Sequence, residues 1–227
     1  MRNFELSTKA RFLAFASLSL ITAAVGVYCY QSLQAIDNIN AAALQFDMPE
    51  LTGKKIAMII AFKDFRDEEY FIPKNIFEAA GAKVTTVSTS NGTAIGADGG
   101  DAAVDIAAGD LLAEDFDAVV FIGGPGAQKL IDDSEMHRIA KDTIVNDKIL
   151  GAICVAPAIL ARAGVLDGKK ATAWSSVMDK SAVKILKEGN AIYVQNAVVI
   201  DGNIITADGP DAAEDFADAI VKVLTRK

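Results

Sequence analysis

The segment AICVAP, residues 152–157, shows best how this chain is built, because it joins a strand pattern to a helix pattern. Residues 149–153 are apolar and predict a short buried strand, whereas the apolar spacing over 158–165 predicts a helix. Pro157 suits the first helical turn, which tolerates a missing N–H. Cys154 is therefore expected on a sharp turn facing the positive end of the helix dipole, as in a nucleophile elbow. The alternative is a small buried hydrophobe, which is how most free cysteines behave.

Strand and helix patterns alternate through the chain after residue 54. Apolar strands are predicted at 55–62, 83–88, 117–122 and 149–153, and helices at 67–82, 134–145, 158–166, 181–187 and near the C-terminus. Residues 192–194 and 198–205 predict a late hairpin pair with Asp201-Gly202 at the turn. This order predicts a three-layer α/β/α sandwich with a flavodoxin-like, mostly parallel sheet.

Composition and charge exclude several classes of function. The 227 residues are 52% apolar and 23% charged, as expected for a globular domain with an N-terminal remainder. The net charge of −8 argues against nucleic acid or an anionic lipid surface as the main partner. Cys29 and Cys154 lie in different kinds of segment, so no disulfide framework or CxxC site is indicated. With His137 as the only histidine, no metal site is expected, and no cofactor is predicted.

The N-terminus predicts a membrane segment. Residues 1–11 are a basic flank, expected in the cytoplasm, and residues 12–30 carry no charge over a length that can cross the hydrocarbon core. Residues 31–53 then form a linker to the domain at 54–227. We expect a single-pass anchor in the cytoplasmic membrane with the domain outside. The alternative is a cleaved signal peptide that leaves a secreted or periplasmic protein.

Three loops are expected at the carboxyl edge of the predicted sheet, where sites form in such folds. They follow Phe62, follow Ile122 and contain Cys154. The loop after Ile122, GGPGAQ, has glycines that let backbone N–H groups approach a ligand, although a plain strand-to-helix turn also needs glycine. The loop after Phe62 carries Asp64 and the acidic run at 67–69, and one of these acids facing the cysteine would share its proton.

These segments together resemble the PfpI family, the Parkinson-associated deglycase (DJ-one) superfamily with a class I glutamine amidotransferase-like fold. The resemblance covers residues 54–227. It matches D-F-x-D-x-E-x-x-x-P to residues 64–73, which puts the family glutamate on Glu69. The G-G-x-x-A motif matches residues 123–127, and A-I-C-x-[GA]-P matches residues 152–157. The resemblance also implies a homodimer as one partner.

The chain departs from the family pattern at the histidines. Protease-like members have histidine directly after the nucleophile, where this chain has Val155. Another branch has histidine where this chain has Trp174, and His137 is predicted on a surface helix. A Cys-His-acid triad is therefore not expected, which makes general peptide or amide hydrolysis less favoured.

Two functions of different class follow. In the first, Cys154 adds to a small carbonyl compound or to a protein adduct, as in the glyoxalase and deglycase branch. Glu69 would move the proton, Gly124 and Val155 would bind the oxyanion, and Gly123 and Pro157 would support the turn. In the second, Cys154 is oxidised in a redox-sensing or chaperone-like binding protein. Both lead us to expect that Glu69 rather than Glu68 faces the thiol, and that the thiol pKa lies below about 8.5.

Overall fold

A seven-stranded sheet forms the centre of the computed structural model, which describes residues 51–226. The strands are β1 (Lys55–Ile59), β2 (Lys63–Phe65), β3 (Lys83–Ser88), β4 (Gly92–Gly96), β5 (Asp101–Val104), β6 (Ile106–Ala107), β7 (Ala118–Phe121), β8 (Ile149–Ile153), β9 (Lys170–Ala171), β10 (Ile192–Tyr193), β11 (Val198–Asp201) and β12 (Ile204–Ala207). The helices are α1 (Asp67–Ala79), α2 (Ser134–Val145), α3 (Pro157–Arg162), α4 (Ser181–Glu188) and α5 (Ala213–Leu224).

The strand order of the large sheet is β11-β12-β8-β7-β1-β3-β6, and every neighbouring pair is parallel except β11 and β12. Strand β8 is buried at all five positions, as its apolar sequence predicts for a strand covered on both sides. Because β8 lies between β7 and β12, the loops after these three strands open at the same edge of the sheet. The predicted mostly parallel α/β fold is confirmed.

Helices cover both faces of this sheet. On one face, Phe77 of α1 and Phe216 of α5 share a buried cluster with Met58 and Val120. On the other face, α2, α3 and α4 pack in a second cluster. Its helical members include Met136, Ile139, Ile159, Leu160, Ala182 and Leu186. Alternate residues of each strand enter opposite clusters, as the two-residue repeat of a strand requires.

The late hairpin differs from the predicted one. Strands β11 and β12 pair with each other in antiparallel register around Gly202, which has a φ of +62°. Residues 192–194 do not join this hairpin. Instead, β10 pairs in parallel with β9 in a separate two-stranded sheet. The apolar pattern marked both segments as strands, but pairing partners depend on contacts between distant residues.

Leu51, which precedes the predicted domain boundary, is fully buried, and its N–H donates to the carbonyl oxygen of Ala80. The predicted flank, membrane segment and most of the linker, at 1–11, 12–30 and 31–50, lie outside the described residues. Within 51–226, no helix combines the length and the apolar character needed to cross a membrane.

Candidate active site

Cys154 lies on a strained turn directly after β8. Its φ is +65°, in the left-handed region that non-glycine residues seldom adopt. Two backbone hydrogen bonds hold this turn: Cys154 N–H donates to Ala207 O at 2.9 Å, and Trp174 N–H donates to Cys154 O at 2.8 Å. Helix α3 begins at Pro157, as the sequence predicts. The residue is 7% exposed, so the thiol lies just below the surface at the carboxyl edge of the sheet.

The glycines after β7 allow the backbone to approach the cysteine closely. A Cβ at Gly123 would lie 2.6 Å from Cβ of Cys154 and 2.7 Å from Oε2 of Glu69. Gly124 has a φ of +102°, and a Cβ there would lie 2.4 Å from the amide nitrogen of Arg66. Any side chain at these positions would displace the loops. The glycines therefore allow three loops to lie close together. The tendency of glycine to form turns did not by itself predict this close approach.

Glu69 is the acidic side chain that meets Cys154. It projects from the first turn of α1 and is fully buried. Its Oε2 accepts the N–H of Gly123 at 3.1 Å. Its other oxygen, Oε1, has no hydrogen-bond partner of standard geometry within residues 51–226, and the Cys154 thiol is the polar side chain beside this carboxyl. Glu68, one residue earlier and about 100° around the helix, is exposed.

Burial controls the protonation of this pair. Desolvation raises the pKa of Glu69 from 4.5 to about 7, against the opposing effects of the Cys154 thiol and the Gly123 N–H. Desolvation also raises the pKa of the Cys154 thiol, and the neighbouring Glu69 carboxylate raises it further. The backbone N–H groups of Gly124 and Val155 face the sulfur and lower its pKa, but more weakly. Above about pH 7 the pair therefore holds one proton, mainly on the thiol, and below about pH 7 the carboxyl holds a second one.

This result corrects the expected low thiol pKa. That expectation rested on the helix dipole, and the backbone N–H groups of Gly124 and Val155 do lower the thiol pKa. Burying a thiolate beside a carboxylate raises the thiol pKa by more. Burial therefore makes the Cys154 thiol harder to ionise, and Glu69 is the acidic side chain beside it that can accept its proton.

The other acids of the Asp64–Glu69 loop have structural contacts. Asp67 accepts the N–H groups of Asp98 and Gly100 at 2.8 and 2.7 Å, which ties α1 to the β4–β5 turn. Asp64 is exposed, with a φ of +61°, and lies 3.8 Å from Lys129. Of the four acids in this loop, only Glu69 reaches the cysteine. Sequence reasoning placed all four at this edge but selected Glu69 through the resemblance.

Histidine is not among the groups that act on the Cys154 side chain, which are Glu69, Gly124 and Val155. His137 lies on α2, and its Nε2 makes a 2.7 Å hydrogen bond with the carbonyl oxygen of Ile131. No cluster of three or more His, Cys, Asp or Glu side chains within residues 51–226 is arranged to hold a metal ion.

A cavity beside the turn was not predicted from the sequence. It has a volume of about 310 Å³ and is lined by Trp174 and Asp208, among others. Burial raises the pKa of Asp208, and Asp211 raises it further. Asp208 directly follows Ala207, whose carbonyl oxygen accepts the Cys154 N–H, and nothing in the sequence pattern indicated this proximity.

Comparison with known proteins yields a consistent set of matches. The family model described as DJ-1/PfpI family matches residues 54–223. An uncharacterised protein of Methanocaldococcus jannaschii is 39% identical over 177 residues, which are 78% of this chain and 85% of the relative. A ThiJ/PfpI domain protein from Brachyspira murdochii has 38% identity and a TM-score of 0.73, over 77% of this chain and 99% of that one. Drosophila melanogaster DJ-1beta has 29% identity and a TM-score of 0.66, over 77% of this chain and 91% of that one.

Proposed function

Because the chain belongs to the DJ-1/PfpI family, we propose that it is a cysteine-dependent enzyme for small carbonyl compounds or their protein adducts. Its activity would be of the glyoxalase or deglycase type and would require no cofactor. The observation that carries this proposal is the buried Cys154–Glu69 pair, whose carboxyl has a pKa of about 7. A general base with a pKa near the working pH combines a large ionised fraction with sufficient basicity.

The first step is addition of the thiol to an aldehyde. Glu69 accepts the proton of Cys154 as the sulfur bonds to the aldehyde carbon, and the carbonyl π electrons move to oxygen. The N–H groups of Gly124 and Val155 stabilise the developing negative charge, since they already face the sulfur. Glu69 then returns the proton to that oxygen, and the product is a hemithioacetal.

With a 2-oxoaldehyde the same carboxylate can complete an isomerisation. Glu69 removes the hydrogen of the sulfur-bearing carbon as a proton while the neighbouring carbonyl oxygen takes up a proton, which gives an enediol. Glu69 then delivers a proton to that neighbouring carbon, and the hydroxyl on the sulfur-bearing carbon loses its proton to become the thioester carbonyl. The product is a thioester of a 2-hydroxy acid, and water releases the acid and restores the thiol. Oxidation of one carbon balances reduction of the next, so no external oxidant is needed. Amide hydrolysis is less supported, because a leaving amine needs an acid and no histidine acts on Cys154.

Turnover of methylglyoxal tests this proposal, with formation of the 2-hydroxy acid followed by NMR. We expect Cys154→Ala to abolish the activity and Glu69→Gln to lower kcat by about 10²–10⁴-fold. Glu68→Gln is the matched control, since Glu68 is exposed on the same helical turn, and should retain full activity. Activity that survives Cys154→Ala would overturn the proposal.

A redox-sensing or chaperone-like role is the second candidate. The observation in its favour is the buried Glu69 carboxyl beside the thiol, whose Oε1 atom has no hydrogen-bond partner of standard geometry within residues 51–226. Hydrogen peroxide would oxidise Cys154 stepwise to a sulfinate, and a protonated Glu69 could donate to its oxygen. Mass spectrometry of the Cys154 peptide after peroxide treatment tests this role. Sulfinate formation that Glu69→Gln does not change would count against it.

Anchoring in the cytoplasmic membrane by residues 12–30 is part of the proposal, with the domain outside. It rests on the uncharged run and its basic flank. We expect the full chain to sediment with membranes and the domain to be cleaved by protease added to cells with an opened outer envelope. A soluble protein that begins near Ile36 would indicate a cleaved signal instead, and protection from protease would indicate the reverse orientation.

A further inference from the structure

Two adjoining cavities lie next to Trp174, whose N–H donates to the carbonyl oxygen of Cys154, and they take no part in the chemistry proposed above. The near cavity, of about 310 Å³, contains Trp174 and Asp208 in its wall. The far cavity, of about 420 Å³, contains Lys180 and Lys187. Both are lined by Ser175, Tyr193 and Gln195, so they adjoin along a common wall. We refer to the pair as the side groove.

The near cavity is attached to the nucleophile on two sides. Trp174 N–H donates to the carbonyl oxygen of Cys154, and Cys154 N–H donates to the carbonyl oxygen of Ala207, the residue before Asp208. Trp174 and Asp208 thus flank the cysteine through its own backbone. The near cavity is therefore the space that we assign to the rest of a substrate bonded to the sulfur.

The far cavity carries positive charge that no acid of the described domain neutralises. Lys180 and Lys187 form no ion pair within residues 51–226, and the Lys187 ammonium lies 5.7 Å from the ring centre of Tyr193. Lys184, between them in the sequence, does not line this cavity and pairs with Glu188 at 3.7 Å. The Asp179 carboxylate accepts the N–H of Ser181, which caps the same helix.

The near cavity has the opposite charge. Asp208 and Asp211 both line it, and neither forms an ion pair within the described domain. A negatively charged group would therefore be repelled beside Cys154 and attracted at the lysine end. The uncharged part of a ligand can pack between Trp174 and Tyr193, which lie along the route. This arrangement gives an anionic ligand one orientation, with its uncharged end toward the sulfur.

We propose that the side groove selects carbonyl substrates that carry an anionic group, with the carbonyl at Cys154 and the anion between Lys180 and Lys187. This proposal rests on the proposed function and adds to it the class of substrate. Lys180 and Lys187 are then specificity-determining residues that do not touch the reacting atoms. Two partly exposed charge pairs of this kind give about a tenfold preference.

A matched pair of 2-oxoaldehydes tests the proposal on the full chain. Phenylglyoxal and 4-carboxyphenylglyoxal have the same reacting group and differ in one carboxylate. We expect kcat/KM to be about tenfold higher for the carboxylate and this preference to shrink in high salt. Lys180→Gln combined with Lys187→Gln should remove the preference by lowering kcat/KM for 4-carboxyphenylglyoxal to about the phenylglyoxal value. Lys184→Gln is the control and should keep the preference.

A binding measurement separates failure of this proposal from failure of the proposed function. The unreactive 4-acetylbenzoate should slow iodoacetamide labelling of the Cys154 peptide in the native chain but not in the double lysine variant. Acetophenone, which lacks the carboxylate, should protect less. Lysine-dependent protection without turnover of either glyoxal would overturn the proposed enzyme activity but support the proposed binding of anionic ligands in the side groove. Three results would overturn the proposed substrate selection by the side groove. They are equal kcat/KM values for the two glyoxals in the native chain, no protection of Cys154 by 4-acetylbenzoate, and a preference that survives in the double lysine variant.

Discussion

The substitution Glu69→Gln should make the protein more stable, and increasingly so as pH rises. Glutamine can still accept the Gly123 N–H through its carbonyl oxygen, so the loop contact is kept. The glutamate, in contrast, must be ionised while fully buried. Its pKa is about 7 in the folded protein against 4.5 when free, so the folded state binds more protons between these values. Native stability therefore falls as pH rises from 4.5 through 7, and the glutamine variant escapes this loss.

The magnitude follows from the same two pKa values. A difference of about 2.5, at about 1.4 kcal/mol for each pKa unit, is about 3.5 kcal/mol. Urea denaturation of the native chain, Glu69→Gln and Glu68→Gln between pH 4.5 and 8 measures it. We expect the stabilities of Glu69→Gln and Glu68→Gln to differ more as pH rises. By pH 8 the urea midpoint of Glu69→Gln should be about 1–2 M higher than that of the native chain. A stability difference that stays constant over this pH range would refute the burial argument for Glu69.

Three further results are expected. In the pH profile of methylglyoxal turnover, kcat/KM should rise through about pH 7 as Glu69 ionises, and a profile flat from pH 5 to 8 would exclude this residue as the base. Gly123→Ala should abolish turnover and lower the melting temperature, because the added Cβ would overlap Cys154 and Glu69. Gly109→Ala should change neither turnover nor melting temperature, because a Cβ at Gly109 meets no atom within 4 Å. Phe216→Ala should cost about 3–5 kcal/mol in chemical denaturation, since the ring is fully buried under the sheet, whereas Leu112→Ala, 55% exposed, should cost far less.

The sequence determined the layer architecture and the position of the nucleophile because these depend on local patterns. The apolar run at 149–153 followed by a helical spacing predicts β8 and α3, and the residue between them must turn sharply. Cys154 at the turn, the glycines after β7 and the acidic start of α1 were all identified this way. Their meeting at one edge follows from the parallel sheet, since the carboxyl ends of its strands lie together.

Tertiary structure alone decided which of these groups meet and in what state. The pairing of β10 with β9 depends on contacts between residues far apart in the chain, and so does the near cavity of Trp174 and Asp208. The protonation of Cys154 also depends on depth of burial. From the sequence, the helix dipole predicts a low thiol pKa. In the folded protein, however, packing places Glu69 and Cys154 together away from water. Desolvation then outweighs the dipole, because an ion loses more on leaving water than a few backbone N–H groups restore.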